Sequence, residues 1–339
     1  MNFTETKKRF LRELSPAQEP LFLAKSLPQA ESRGARVHIL ALGDVGATLL
    51  LGLKVLGAGT VDTIGIYDIN EKVMERYERE MNQMGWAFEE ELPSVVVLRE
   101  EELFDCDLFL FCASKSIPAI GATGDVRMMQ FDANRAIVEH FAQKAKAAEY
   151  RGIFAVVSDP VDPLCKAALL ASGLEPGQIR GYGLGVMNRR AVYYAKKDPK
   201  LSSYMTEGRA YGPHGADLVI ANSIEHYDDG LSRQLTKQTV EANLEVRELG
   251  FKPYLAPAIS SGAMSVLRTL QGKWHYSSVY LGERPVEAED GSRSGQGAFL
   301  GVKNRIAPDG RTLEYEDLAL PEELYRRIRS AYENLCRII

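Results

Sequence analysis

The sequence predicts an α/β protein: a Rossmann-type doubly wound parallel sheet followed by an α+β domain. Three observations lead there. Apolar strand-like runs alternate with helical stretches from Val37 to Ser158; those runs lack the in-out alternation of a half-wet sheet; and the first strand enters a helix through a glycine-containing turn. Strands apolar on both faces need cover on both, which crossover helices between parallel strands provide.

Element by element, residues 1–34 are polar, Pro-containing and weakly periodic, and read as an arm available for oligomer contacts. Residues 37–42 form a first strand, 44–58 a helix, and 63–68 a second strand. A polar helix over 71–84 follows, then strands at 95–98 and 107–113, a helix over 131–149 and a buried strand at 152–158. The second half is less regular. Helices are predicted over 217–229, 231–249 and 260–270, strands over 275–282 and 297–302, and a surface hairpin or loop over 287–297. An amphipathic helix beginning at Pro321 closes the chain. The expected division is 1–34, an arm; 35–180, the first domain; and 181–339, the second.

Composition narrows the class. Of 339 residues, 45% are hydrophobic and 26% charged, with 41 basic and 46 acidic side chains for a net charge of −5. That balance gives no reason to expect nucleic acid or an anionic membrane as partner. No apolar run reaches the roughly 20 residues that span a bilayer. The charged N-terminus lacks the apolar centre of a secretory signal. Cys106, Cys112, Cys165 and Cys336 show no metal-ligand spacing, so they read as reduced thiols, two of them in apolar text, and no metal is expected. The expected location is the cytoplasm.

The first turn carries the chemistry. Strand 37–42 runs through Ala41-Leu42-Gly43-Asp44-Val45-Gly46 into a helix, and the second strand ends at Asp68, about 20 residues on, the spacing of a dinucleotide-binding unit. Gly43 lets backbone approach a pyrophosphate beside Asp44 and Val45, and Gly46 allows close helix–strand packing. Asp68 suits an adenosine ribose and repels a 2′-phosphate, favouring NAD over NADP. Two departures stand out. Ala41 occupies the place of the usual first glycine, and Asp44 puts a carboxylate where it can cap the amides a phosphate would use. The alternative is a βαβ turn without ligand.

Several further segments, in order, are similar to the L-lactate/malate dehydrogenase family: IYDIN (66–70), GDVRMMQFDANRAIV (124–138), SDPVDPL (158–164), GLGVMNRR (183–190), YGPHGAD (211–217) and ISSGAMSVLRTL with HYSSVYLG beyond it. The resemblance covers roughly residues 36–338 and makes the second half the catalytic domain. It implies that His214 exchanges a proton opposite the nicotinamide, since hydride transfer to a carbonyl leaves an alkoxide. It implies that Arg190 grips a substrate carboxylate, that Arg127 polarises the reacting carbonyl, and that Asn134 lies by the nicotinamide and substrate. Ser278 falls near a pocket hydroxyl, with Ser277 equally defensible. A small-molecule substrate and a homodimer or homotetramer are implied too.

The pattern breaks at three places. Where the family carries the aspartate that orients its histidine, this chain has Met187, and a thioether neither fixes a tautomer nor supports an imidazolium. Where the family has asparagine, this chain has Asp159. Three readings stand: a partner for His214 from another direction, a receptor for a cationic or imine-bearing substrate, or a silent local change. Asp162, ahead of Pro163, reads as an N-cap. The segment before Arg127 (Ile117, Pro118, Ala119, Ile120) reads as a lid with Lys115 its sole nearby cation, which disfavours a substrate with a second carboxylate. The function expected is an NAD(H)-dependent oxidoreductase acting on a 2-hydroxy/2-oxo acid with a non-acidic side chain. The alternatives are an imine or unusual-carbonyl reductase, and a non-catalytic dinucleotide-binding protein.

Overall fold

A computed structural model describes residues 8–9, 14–15, 18–28, 33–85, 92–115 and 126–339, with backbone alone for 8–9 and 126–129. Six parallel strands form the first part of a nine-stranded sheet: β1 (Ala35–Leu40), β2 (Val61–Tyr67), β3 (Ser94–Val97), β4 (Leu108–Phe111), β5 (Ile153–Val156) and β6 (Ile179–Gly181). Their spatial order is 3-2-1-4-5-6, so the chain reverses direction between β1 and β4. In such sheets a crevice opens at the carboxyl ends of the strands flanking that reversal. Strands β4 and β5 are buried at every position, which is why they read as unbroken apolar runs.

Helices cover both faces. α1 (Asp44–Leu56) buries Leu49, Leu50 and Leu53, and α2 (Glu71–Asn82) starts at Asn70, whose side chain accepts the Lys72 N–H. α3 (Val126–Ala147) begins five residues earlier than its periodicity suggested. α4 (Val161–Ser172) is almost wholly buried and ends at Gly173, whose positive φ of 66° suits glycine.

The sheet does not stop at the expected boundary near 180. β6 bonds antiparallel to β9 (His275–Leu281), and β10 (Ala298–Ile306) and β11 (Leu313–Tyr315) continue it. A second, smaller apolar cluster gathers on α5 (Leu184–Ala195), with the antiparallel pair β7 (Arg209–Tyr211) and β8 (Val219–Ala221) and α6 (Asp229–Glu248). The helix expected over 217–229 is therefore replaced by β8 and a turn; Val219–Ala221 pair with β7, and tertiary pairing overrides local pattern there. A π-helical turn, Pro257–Ala263, leads into α7 (Met264–Leu270). It packs so closely on α1 that a Cβ at Gly52 would come within 2.6 Å of Ala263 Cβ. The terminal helix α8 (Glu322–Cys336) buries Leu324, Ile328, Ala331 and Leu335 at helical spacing.

Described parts of residues 1–34 pack against their own chain. Lys8–Arg9 pairs with Ala319–Leu320, Phe22 bridges Thr312, and Leu21 and Leu23 are buried. All four cysteines are free, and burial pushes the Cys106 and Cys112 thiols up to about 12. Among the described residues no helix is long and apolar enough to cross a membrane.

One buried carboxylate ties the N-terminal segment to the sheet. Asp107, 1% exposed, accepts from Lys25 Nζ at 2.8 Å, Arg33 Nη1 at 3.0 Å and the Arg36 N–H at 2.9 Å. Burial alone would raise its pKa, but Arg33, the Arg36 amide and Lys25 outweigh it and hold the carboxyl below its ordinary value. Because the folded pKa is depressed, this stabilisation is present at neutral pH and is lost as pH falls through the acid range. Asp107→Ala should cost about 2–4 kcal/mol at pH 7 and much less at pH 3, read by urea unfolding at both. An equal cost at both would mean the charge contributes nothing.

Candidate active site

The carboxyl edge of the sheet opens into a cleft of about 780 Å³. It runs from Tyr182 and Gly183 after β6, past Ser158 and Asp159 after β5 and Cys112–Lys115 after β4, to Gly43–Val45, then Asp68 and Glu100. The crevice thus follows the sheet across its reversal point.

The first turn is built by exchanged constraints. Ala41 takes φ +73°, the left-handed region where an alanine costs about 1 kcal/mol relative to glycine. A Cβ at Gly46 would lie 2.0 Å from the Ala41 carbonyl oxygen, so glycine is required there, whereas at Gly43 nothing lies within 4 Å. Backbone at Gly43 is therefore open to a ligand. Asp68 spans the turn: one oxygen accepts the Leu42 N–H at 2.7 Å, the other the Asn70 N–H at 2.9 Å. Asp44, which could cap the helix amides, turns to another partner. Its carboxylate lies 3.0 Å from Lys252 Nζ, and among the described residues the N-cap, Gly43, has no side-chain cap bond.

At the other end, His214 Nδ1 lies 3.0 Å from Asp159 Oδ1, with the imidazole 14% and the carboxylate 49% exposed. Gly183 permits the approach, since a Cβ there would come within 2.7 Å of His214 Cβ. Met187, on α5, is 3% exposed and belongs to the second apolar cluster. Its sulfur lies 3.6 Å from Arg190 Nη1. Burial lowers the Arg190 pKa, and Asp159's charge acts on the guanidinium in the opposite sense. Asp159, His214 and Arg190 thus share one neighbourhood.

Asn134, fully buried on α3, accepts the Lys115 N–H at 2.8 Å and donates to Ser114 Oγ at 3.2 Å and the Asp159 carbonyl at 2.8 Å. Its amide stitches the loop after β4 to the loop after β5. Arg127 belongs to the first turn of α3, but its side chain, like lid residues Ile117, Pro118, Ala119 and Ile120, lies outside the described residues. Ser277 and Ser278 face opposite ways. Ser277 joins a buried network with Arg180, His275 and Asn304, while the Ser278 hydroxyl favours the charged form of the Asp162 carboxyl.

The N-cap reading of Asp162 is overturned. Pro160 is the N-cap of α4 and has no side-chain cap bond, while Asp162 turns inward, 3% exposed, with Oδ2 3.4 Å from the His214 N–H. Sequence could not separate these readings, because an acid in a helix's first turn serves either role. Tyr182, Glu100 and His140, also cleft residues, carried no motif signal.

Residues 35–181 match the lactate/malate dehydrogenase NAD binding domain. The L-lactate dehydrogenase of Corynebacterium glutamicum strain R is 27% identical over 217 residues, covering 63% of this chain and 67% of the relative. That of Geobacillus kaustophilus is 30% identical over 151 residues, 44% of this chain and 45% of the relative. Among solved structures, the minor L-lactate dehydrogenase from Enterococcus mundtii superposes with a TM-score of 0.71 at 21% identity, covering 90% of this chain and 97% of that one. The malate dehydrogenase from Picrophilus torridus gives 0.69 at 19% identity, with 90% and 96% coverage.

Burial raises the Asp162 carboxyl to about 6, with the Ser278 hydroxyl and the His214 amide pulling the other way. A carboxyl with a raised folded pKa costs stability on ionising, so the penalty is absent below about pH 4 and complete above about pH 6. Asp162→Asn should therefore stabilise the fold by about 1–3 kcal/mol at pH 8 and leave it nearly unchanged at pH 4. Thermal unfolding at the two pH values measures this, and a variant less stable at pH 8 would contradict it.

Proposed function

We propose that the chain is a divergent member of the lactate/malate dehydrogenase family and that it interconverts a 2-hydroxy acid and a 2-oxo acid with a non-acidic side chain. The cofactor is NAD, which when bound supplies or accepts the hydride at C2. The turn fits it: Gly43 leaves backbone open, the helix N-terminus is uncapped, and Asp68 stands where a ribose would meet it.

The observation that carries the reading is the 3.0 Å contact between His214 Nδ1 and Asp159 Oδ1. A carboxylate on Nδ1 holds that nitrogen as the donor and leaves Nε2 to exchange a proton with the substrate oxygen. Asp159 thereby takes over the orienting role that Met187 has lost. Arg190, on the helix that starts beside His214, anchors the substrate carboxylate through its planar fork. Arg127 polarises the carbonyl. Asn134 fixes the Asp159 backbone, and Ser278 acts through Asp162. The apolar text at 117–120 favours an apolar substrate side chain. A small-molecule substrate, a cytoplasmic location and a homodimer or homotetramer complete the proposal, the last open to light scattering.

Asp159 also supports a second reading. Half exposed beside the imidazole, it can face the N–H of an iminium as well as a ring nitrogen, so reduction of 2-oxo acid imines is the alternative.

Purified protein should oxidise NADH with some bulky 2-oxo acid, and His214→Ala should abolish that turnover. Asp159→Asn should lower kcat by about 10²–10⁴, the range for losing an orienting carboxylate. Restoring an acid by Met187→Asp in the Asp159→Asn background should recover part of it. Turnover only after amines are added to the panel would favour imine reduction. An Asp159→Asn variant as fast as the parent on 2-oxo acids would sink the proposed partnership.

A further inference from the structure

Lys252 plays no part in the proton and hydride chemistry above, yet it reaches the cofactor turn. It lies on residues 250–256, leading into the π-helical turn whose Pro257 and Ser261 line the cleft. Its Nζ lies 3.0 Å from Asp44 Oδ2, joining the second half of the chain to the first turn of α1. With side chains 72% and 49% exposed, such a pair contributes little to folding. Its position gives it a different significance.

Asp44 is the first residue of α1 and itself lines the cleft. The turn before it leaves Gly43 open and its helix amides without a side-chain cap, an arrangement that receives a phosphate. A diphosphate brings about two negative charges to that point, where a carboxylate already stands. The helix terminus offers only about half a positive charge in return. Without a further cation, Asp44 and the diphosphate repel each other at close range.

We propose that Lys252 is a cofactor-binding residue supplied by the second half of the chain, neutralising Asp44 and pairing with the dinucleotide's diphosphate. The proposal rests on the NAD reading and deepens it. An acid in the turn and a cation brought to it from 208 positions away are then one device. The same contact ties the wall at 250–261 to the turn, so diphosphate binding draws on both sides of the cleft.

Calorimetric titration of the full chain with NADH, ADP-ribose and adenosine tests this without turnover. Lys252→Met should weaken NADH and ADP-ribose about tenfold and adenosine less than twofold, because adenosine lacks the diphosphate. Asp44→Asn should tighten both dinucleotide ligands, and Lys252→Met should cost less in that background. Lys252→Arg should restore most of the affinity, and the loss in Lys252→Met should shrink at high salt. ADP-ribose binding within twofold of the parent in Lys252→Met would overturn the proposal while leaving the NAD reading intact. An equal loss for adenosine would overturn it as well, since the damage would not concern the diphosphate. Failure of the unaltered chain to bind NADH would remove the NAD reading, and this inference with it.

Discussion

The contact between the His214 imidazole and the Asp159 carboxylate is the constraint around which the cleft is organised. It joins two chain segments 55 positions apart, and each is fixed by other bonds. Asp159 follows β5, and its carbonyl is held by Asn134 from α3. His214 sits in a turn whose amide meets Asp162 and whose Cβ packs on Gly183. Moving either partner would disturb α3 through Asn134 or α4 through Asp162. A hydrogen-bonded pair held by packed neighbours keeps its geometry without reorganising when substrate arrives.

That constraint explains an otherwise awkward neighbour. Met187 stands one turn before Arg190 and is buried among Leu184, Val186, Tyr204 and Leu235. A carboxylate in that apolar setting would need a partner to offset its desolvation. With Asp159 already on Nδ1 of the imidazole, no acid is needed at 187, and a thioether fills the space. The same logic holds at the turn, where Asp44 faces out and takes Lys252. In both places the charged group is paired with a residue distant in sequence.

Much of the first half was legible from the sequence, for a plain reason. Doubly covered parallel strands are apolar at every position, so DLFLFCA and GIFAVVS announce themselves. Gly46 and Asp68 are confined by local geometry that recurs wherever a strand turns into a helix around a phosphate. The second half was harder. Val219–Ala221 is a strand only because Arg209–Tyr211 lies beside it, and the short apolar run alone does not say so. Asp162 shows the same limit at the level of one side chain. Whether an acid at a helix start faces solvent or the core depends on Ser278 and His214, both remote in sequence. Lys252 was invisible because one lysine between Phe251 and Pro253 has no pattern.

The continuity of the sheet turns these local facts into a working geometry. β6 is the last parallel strand and also the partner of β9, so the strands that carry the cofactor turn and the strands that support Ser278 belong to one hydrogen-bonded lattice. Gly181, paired with Ser278, is so confined that a Cβ there would meet Val161, Ser278 and Cys165 all within 3 Å. Two residues later Gly183 meets His214. The distance between the turn at Gly43 and the imidazole is therefore set by backbone registry across β1, β4, β5 and β6, with flexible side chains left to settle only the last few ångströms. Chemistry that delivers a hydride to a carbonyl carbon and a proton to its oxygen requires that kind of fixed separation. A sheet that ended at residue 180 would leave it to a hinge.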